Sequence, residues 1–114
     1  MARKVAVVLA EVMEAIAGIE KAVAGKTLAE FEGEWLLKHG VQRGIEIISE
    51  AVRHIPSELK DRRPDIPWKQ VVAMGSVLRH EYHRIADPIV WRLVTDDLPP
   101  LKAAIEALER DLDG

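Results

Sequence analysis

Apolar residues recur every three or four positions along most of the chain, and no stretch alternates apolar and polar residues over a useful length. That period is the repeat of one face of an α-helix, whereas a half-buried strand would show a period of two. The sequence therefore predicts an all-α fold, an up-and-down bundle of four to five helices. The stripe of the first helix, predicted over residues 3–24, consists of Val5, Val8, Val12, Ile16, Ile19 and Val23.

Local signals give the boundaries of the first two helices. Gly25 is a typical helix stop, and Thr27 followed by Glu30 fits a capping box at the start of the next helix. That second helix is predicted over residues 28–54, with a weak point near Gly33, and Pro56 ends it. Its apolar stripe consists of Leu37, Val41, Ile45, Ile48, Val52 and Ile55.

Two glycines lie four positions apart within this second helix. Glycine is unfavourable in a helix interior by about 1 kcal/mol relative to alanine. We therefore expect Gly40 and Gly44 to mark the close approach of another backbone. His39 and His54, in the same helix, are interpreted as ordinary surface or edge residues.

Prolines mark the helices of the second half. Residues 57–66 form a polar connector with one helical turn, and Pro67 suits the first turn of a third main helix that ends near Ile85. Asp87 and Pro88 open a short helix. The last helix begins at Asp97 and the two following prolines, and its stripe consists of Leu101, Ile105, Leu108 and Leu112.

Length and composition limit the possible functions. A chain of 114 residues fits one domain, here 1–114, and 48% hydrophobic residues suffice for one core. The absence of cysteine excludes disulfides and thiolate catalysis. A net charge of −3 argues against non-specific nucleic-acid binding but permits a local basic patch. Because Glu11 and Glu14 interrupt the first apolar run, we expect neither a signal peptide nor a membrane span, and a cytoplasmic location.

The stretch from Met74 to Arg84 concentrates the groups that can move protons or bind phosphate. It contains His80, His83, Arg79, Arg84 and the single tyrosine, Tyr82. An imidazole exchanges protons near neutral pH, and a guanidinium binds phosphate and offsets negative charge in a transition state. With an RNA 2′-hydroxyl as internal nucleophile, these groups suffice for cleavage without a metal.

A helical wheel divides this stretch into two faces. Val71, Gly75, Leu78, Tyr82 and Ile85 fall within one sector, which we assign to the core. His80 points the opposite way, with small or polar neighbours that suit a second buried surface. We therefore predict a homodimer, or a contact with a partner protein, through the outward face, whose interface residues are Ala73, Ser76 and Val77.

Simpler interpretations of the same residues stay open. A histidine on an exposed helix face is most often only solvated. Arg79 and Arg84 are alternatively surface charges in weak pairs with Glu81 and Asp87. Tyr82 is alternatively a packing residue. His80 and His83 are three positions apart, but without cysteine or a His-x-x-x-His pattern we predict no metal site.

The order of motifs resembles the HepT-like toxin family of the HEPN superfamily. The similarity covers most of the chain and lies in five segments, namely Val41–Ala51, Ile66–Met74, His80–Tyr82, Ile89–Trp91 and Asp97–Pro99.

The resemblance implies a fold, an activity and partners. It implies a dimeric helical bundle with the motif of each subunit in an interface cleft, acting as a metal-independent endoribonuclease that needs no cofactor. It also implies the toxin role in a type VII-style toxin–antitoxin pair, with a minimal nucleotidyltransferase as antitoxin. By position, His80 matches the catalytic histidine and Tyr82 matches the tyrosine to which the partner adds AMP.

The chain departs from the family pattern at the arginine that precedes the histidine. Gly75 and Ser76 stand at the expected place, and no arginine occurs between Arg63 and Arg79. One hypothesis is a ribonuclease in which Arg79 or Arg84 takes the phosphate-binding role beside His80. The other is a catalytically inactive HEPN dimer that serves as an interaction module for a nucleotidyltransferase.

Overall fold

Within the part of the chain that the structure describes, four long helices form the bundle and three short ones connect them. The computed structural model describes residues 4–81 and 85–113, and of Glu81 only the backbone. Those residues contain no strand, which confirms the all-α prediction. The helices are α1 (Val5–Val23), α2 (Leu28–Gly33), α3 (Trp35–Val52), α4 (Ser57–Lys60), α5 (Trp68–Glu81), α6 (Asp87–Arg92) and α7 (Leu98–Asp113).

The predicted signals at the α1–α2 turn are confirmed. Gly25 has a φ of 73°, a left-handed conformation that glycine adopts without strain. The Thr27 side chain accepts a hydrogen bond from the Glu30 backbone amide, and the Thr27 amide donates to the Glu30 carboxylate. This capping box satisfies two amides that the helix start would otherwise leave unpaired.

The second predicted helix is two helices. Glu34 has extended backbone angles (φ −107°, ψ 99°) and separates α2 from α3 just after the expected weak point at Gly33. The carboxylate of Glu34 pairs with Lys26 at 3.1 Å. The break lets α2 pack against α6, where Phe31 is fully buried and its ring centroid lies 5.2 Å from that of Trp91.

The core follows most of the predicted stripes and also includes Leu9 and Phe31, which no predicted stripe contained. Helix α3 packs against both α1 and α5, and α7 covers α1. Fully buried side chains of this size stabilise the fold by about 1.5–3 kcal/mol each. The largest of them are Phe31, Leu9, Ile16, Ile48, Leu78, Ile105 and Leu108.

Three expectations need correction. A Cβ at Gly40 would meet open space, and one at Gly44 would lie 2.8 Å from side-chain atoms of Ile19, so neither glycine faces another backbone. Leu112 is 45% exposed and does not extend the stripe of α7. No break separates α6 from α7, because residues Leu93–Asp97 form a π-helical turn between them.

The π-helical turn has a local cause. Pro99 and Pro100 lack amide hydrogens, so the normal i to i−4 ladder cannot continue through them. The wider turn instead bonds the Leu98 amide to the Leu93 carbonyl. Within the described ranges, no helix is long and apolar enough to cross a bilayer.

Candidate functional site

The C-terminal half of α5 presents His80 to solvent. Ala73, Ser76 and His80 are exposed and Val77 is half-buried, as the helical wheel predicts for the outward face. On the opposite face Leu78 is 1% exposed. Tyr82, His83 and Arg84 lie outside the described residues, so their predicted roles stay predictions. The outward face is thus accessible to RNA or to another protein chain.

The inner face of α5 packs unusually closely on α3. The Ser49 hydroxyl donates a 2.6 Å hydrogen bond to the Val72 carbonyl oxygen. Gly75 lies one turn further along, and a Cβ there would overlap the Cβ and Oγ atoms of Ser49. Only glycine fits this position without moving a helix. The place where the family pattern has an arginine is therefore a packing contact in this chain.

Arg79 lies in the cleft between α3 and α5. It lines two adjoining grooves of about 330 and 220 Å³, and Arg43 and Glu46 line both of them. Among the described residues, none forms a hydrogen bond or an ion pair with Arg79. Its guanidinium group is thus available for an anionic ligand. His80, the next residue, emerges about 100° further round the helix and does not line either groove.

The two grooves differ in charge. The larger extends toward α1 and includes the carboxylates of Glu11 and Glu50, whereas the smaller is completed by His39, Gln42 and Leu78. Arg43 and Glu46 form an ion pair of 3.2 Å where the grooves meet. An anionic ligand would therefore be repelled from the α1 end and tolerated at the His39 end.

An exposed aromatic residue stands beside the smaller groove, a feature that the sequence reasoning missed. Trp35 is 66% exposed, and its ring stacks on that of His39 with centroids 4.2 Å apart and planes 30° apart. The His39 Nδ1–H donates a 2.8 Å hydrogen bond to the Trp35 carbonyl oxygen. Trp35, His39 and Arg43, here called the α3 stripe, are spaced four residues apart. That spacing was the available sequence signal, because it places all three side chains on one helix face.

A larger groove, of about 670 Å³, lies at the other end of α5. Ser57, Lys60, Trp68 and Lys69 are among the residues that line it. Burial lowers the pKa of Lys60 from its ordinary value. Lys69 is eleven residues from His80, about 16 Å along the helix axis, so this groove is separate from the His80 face. Within residues 4–81 and 85–113, no three His, Asp or Glu side chains lie close enough together to share a metal ion.

Sequence comparisons agree on one family. A family model described as "Ribonuclease HepT-like" matches residues 12–108. A protein of Thermococcus cleftensis named as a probable ribonuclease HepT is 32% identical over 102 residues, which cover 90% of this chain and 93% of that protein. No solved structure matches the chain.

Two proteins of Methanocaldococcus jannaschii extend the similarity. One, named as a candidate RNase, is 34% identical over 77 residues, or 68% of this chain and 71% of that protein. The other, named as a gamma-glutamylcyclotransferase and candidate RNase, is 33% identical over 113 residues. Those residues cover 99% of this chain and 51% of that protein, so the chain corresponds to about half of it.

The packing at Gly75 predicts how the chain responds to an added arginine. Gly75→Arg should destabilise the fold by more than about 3 kcal/mol, because the side chain cannot fit against Ser49. Ala103→Arg, at an exposed position on α7 outside the predicted dimer interface, should change stability by less than about 0.5 kcal/mol. Urea unfolding followed by circular dichroism measures both. Equal stability of the two variants would show that α3 and α5 do not pack as described.

Proposed function

The chain belongs to the HepT-like ribonuclease family, and on that premise we propose that it is a metal-independent endoribonuclease in which His80 exchanges protons with the RNA. The observation that carries the proposal is the exposure of His80, the residue that the resemblance implies as the family histidine. An exposed imidazole on a helix can approach a substrate backbone. Such an enzyme would act in the cytoplasm, where its RNA substrates are.

The proposed reaction uses the RNA as its own nucleophile. His80 accepts the proton of a 2′-hydroxyl, whose oxygen attacks the adjacent phosphorus. The bond from phosphorus to the 5′ oxygen breaks, and that oxygen takes up the proton that His80 returns. The products are a 2′,3′-cyclic phosphate and a 5′-hydroxyl, so neither water nor a metal enters this step.

A cation beside His80 would stabilise the charge on the phosphate oxygens. Arg79 is the proposed ligand, because it adjoins His80 in the sequence and no ion pair with a described residue holds it in the groove. Arg84 is the second proposed ligand on the strength of its sequence position alone. Gly75 has no side chain that could bind phosphate, and a larger residue at that position would overlap Ser49.

We propose that the outward face of α5 is the dimer interface. Ala73, Ser76 and Val77 are small or apolar and lie on the same face as His80. Two copies meeting through this face would place two His80 side chains near one cleft. A symmetric contact of this kind is the commonest form of homodimer.

The proposed partner is a minimal nucleotidyltransferase antitoxin, which would complete a type VII-style toxin–antitoxin pair. The support is the family resemblance, in which the partner silences the nuclease by adding AMP to the motif tyrosine. Tyr82 occupies that place in the sequence. AMP addition next to His80 would introduce bulk and negative charge, both unfavourable to RNA binding.

One observation favours the second hypothesis, a catalytically inactive interaction module. The family arginine is absent, and Gly75 is committed to helix packing. In that case the same outward face would serve dimerisation and partner binding only. The activity measurement below separates the two hypotheses.

RNA cleavage tests the enzyme proposal directly. Purified wild-type protein should cut RNA and leave 2′,3′-cyclic phosphate ends. His80→Ala should slow cleavage about 100- to 10,000-fold because it removes the proton acceptor. Arg79→Ala should slow it about 100-fold because it removes a charge-stabilising group. Gel analysis of labelled RNA with end-group mapping gives both values.

A matched histidine controls that measurement. His54 is exposed beyond the end of α3 and pairs only weakly with Glu50, at 3.4 Å, so His54→Ala should leave cleavage unchanged. Intact RNA after incubation with wild-type protein would refute the enzyme proposal and favour the interaction module.

The dimer proposal predicts a change of mass in solution. Wild type should scatter light as a dimer, and Ala73→Arg should be a monomer because two like charges would meet across the symmetric interface. Ala103→Arg, at an exposed position on α7, is the matched control and should remain dimeric. A monomeric wild-type protein would contradict the assignment.

AMP addition by the partner would raise the mass of the protein by a defined amount. Co-expression with a minimal nucleotidyltransferase should add whole AMP groups to wild type and to His80→Ala, as seen by intact-protein mass spectrometry. Tyr82→Phe should stay unmodified because it lacks the acceptor oxygen. AMP found on Tyr82→Phe would show that another residue is the acceptor.

A further inference from the structure

We propose that the α3 stripe, together with Arg79, binds an unpaired segment of RNA by stacking one base on the open face of Trp35. The inference rests on the proposed function, because it adds a binding surface for the strand beside His80. It assigns roles to Trp35, His39 and Arg43 that the family motif does not give them.

Trp35 is arranged as a stacking surface. One face of its ring contacts the ring of His39, yet the residue remains 66% exposed, so the other face is open to solvent. The hydrogen bond from His39 to the Trp35 carbonyl oxygen holds the second ring of the stack. A base placed on the open face would form a stack of three rings with Trp35 and His39. Every base offers such a face, so this contact favours unpaired RNA without selecting a sequence.

Cations lie where the backbone of a stacked nucleotide would continue. Arg43 is two helical turns from Trp35, about 12 Å along α3, and its side chain is 69% exposed. Only one terminal nitrogen of Arg43 pairs with Glu46, at 3.2 Å, so the other N–H groups of its guanidinium can bind a phosphate. Arg79 faces the same groove from α5 and forms no ion pair with a described residue.

The distribution of charge along the cleft favours one path for the RNA strand. Glu11 and Glu50 line the end of the cleft that faces α1, where Glu50 also pairs with Arg53 at 3.5 Å, so that end holds more carboxylates than the other and is less favourable for phosphates. The opposite end is lined by His39 and Gln42 and leads to Trp35. A strand held by Arg43 and Arg79 is therefore directed toward the aromatic stack.

The antiparallel packing of α3 and α5 brings this surface near the candidate active site. Ser49 contacts Val72, and Gln42 lines a groove with Leu78, so positions earlier in α3 lie beside positions later in α5. His39 lines the same groove as Arg79, so Trp35, one turn earlier in α3, lies on the side of that groove toward the C-terminal end of α5, which carries His80. A strand on the α3 stripe can continue to the outward face of α5.

A protein partner is the alternative occupant of an exposed tryptophan. Leu36, next to Trp35, is 79% exposed but turns away and lines an apolar groove between α1 and α3. The face that carries Trp35 instead bears His39 and Arg43. The combination of an open ring with cations favours RNA, and Leu36 provides a matched apolar control.

Binding is measured without cleavage. The parent protein carries His80→Ala, and the probe is a labelled single-stranded 2′-O-methyl RNA of about ten nucleotides. The parent should bind with quenching of tryptophan fluorescence. Trp35→Ala should weaken binding about 5- to 150-fold through the loss of one stacked base. Trp35→Phe keeps a ring and should bind with less quenching, because Trp68 and Trp91 are partly buried.

The cations are tested by salt dependence. Arg43→Ala and Arg79→Ala should each reduce the slope of log affinity against log salt by about 0.7, the value for one phosphate contact on a single strand. Leu36→Ala should leave both affinity and slope unchanged.

The outcomes separate this inference from the ribonuclease proposal. Equal RNA binding by Trp35→Ala and the parent overturns the inference, even if wild type cleaves RNA through His80. Binding that depends on Trp35 supports the inference even if wild type cleaves nothing, and the ribonuclease proposal alone then fails. A third outcome also overturns the inference. If Trp35→Ala and Leu36→Ala both lose dimerisation or nucleotidyltransferase binding while RNA binding is unchanged, this surface is a protein interface.

Discussion

The contact between Ser49 and Gly75 determines the arrangement of the candidate site. The hydroxyl of Ser49 bonds the Val72 carbonyl, and the missing side chain at Gly75 lets α5 approach α3 at that point. This pair fixes both the rotation and the register of α5 against α3. With Gly75 and Leu78 turned inward, helix geometry turns His80 outward and directs Arg79 into the cleft. A helix rotated by one residue would bury a different set of side chains.

The same contact lies at the position where the family resemblance implies an arginine. An arginine in place of Gly75 would need the space that Ser49 occupies. If His80 is the catalytic histidine, as proposed, the phosphate-binding cation therefore has to come from a position other than 75. Arg79 adjoins His80 in the sequence, and Arg43 lines the same groove as Arg79.

Periodicity predicted the helices well because burial of one face dictates both the pattern and the fold. Periodicity did not predict features whose cause lies in the backbone and not in the repeated burial of one helix face. The bend at Glu34 and the π-helical turn before Pro99 depend on backbone bonding, which apolar spacing does not record. The outward orientation of His80 could be predicted from a helical wheel of α5 alone. The stack of Trp35 on His39 was not predicted, because the four-residue spacing places the two rings on one helix face without showing that both stay outside the core.

A net charge of −3 is compatible with RNA binding if the charges are segregated, and the cleft between α3 and α5 shows such segregation. The carboxylates of Glu11 and Glu50 lie at its α1 end, while His39, whose ring stacks on Trp35, lies at the other end. A phosphate responds mainly to charges within a Debye length, about 8 Å at physiological salt, so the distant acidic residues are largely screened. The near carboxylates still matter, because they exclude one path for the strand. Repulsion of phosphates at one end and base stacking at the other define the path of the RNA strand, which the two arginines alone would leave undefined.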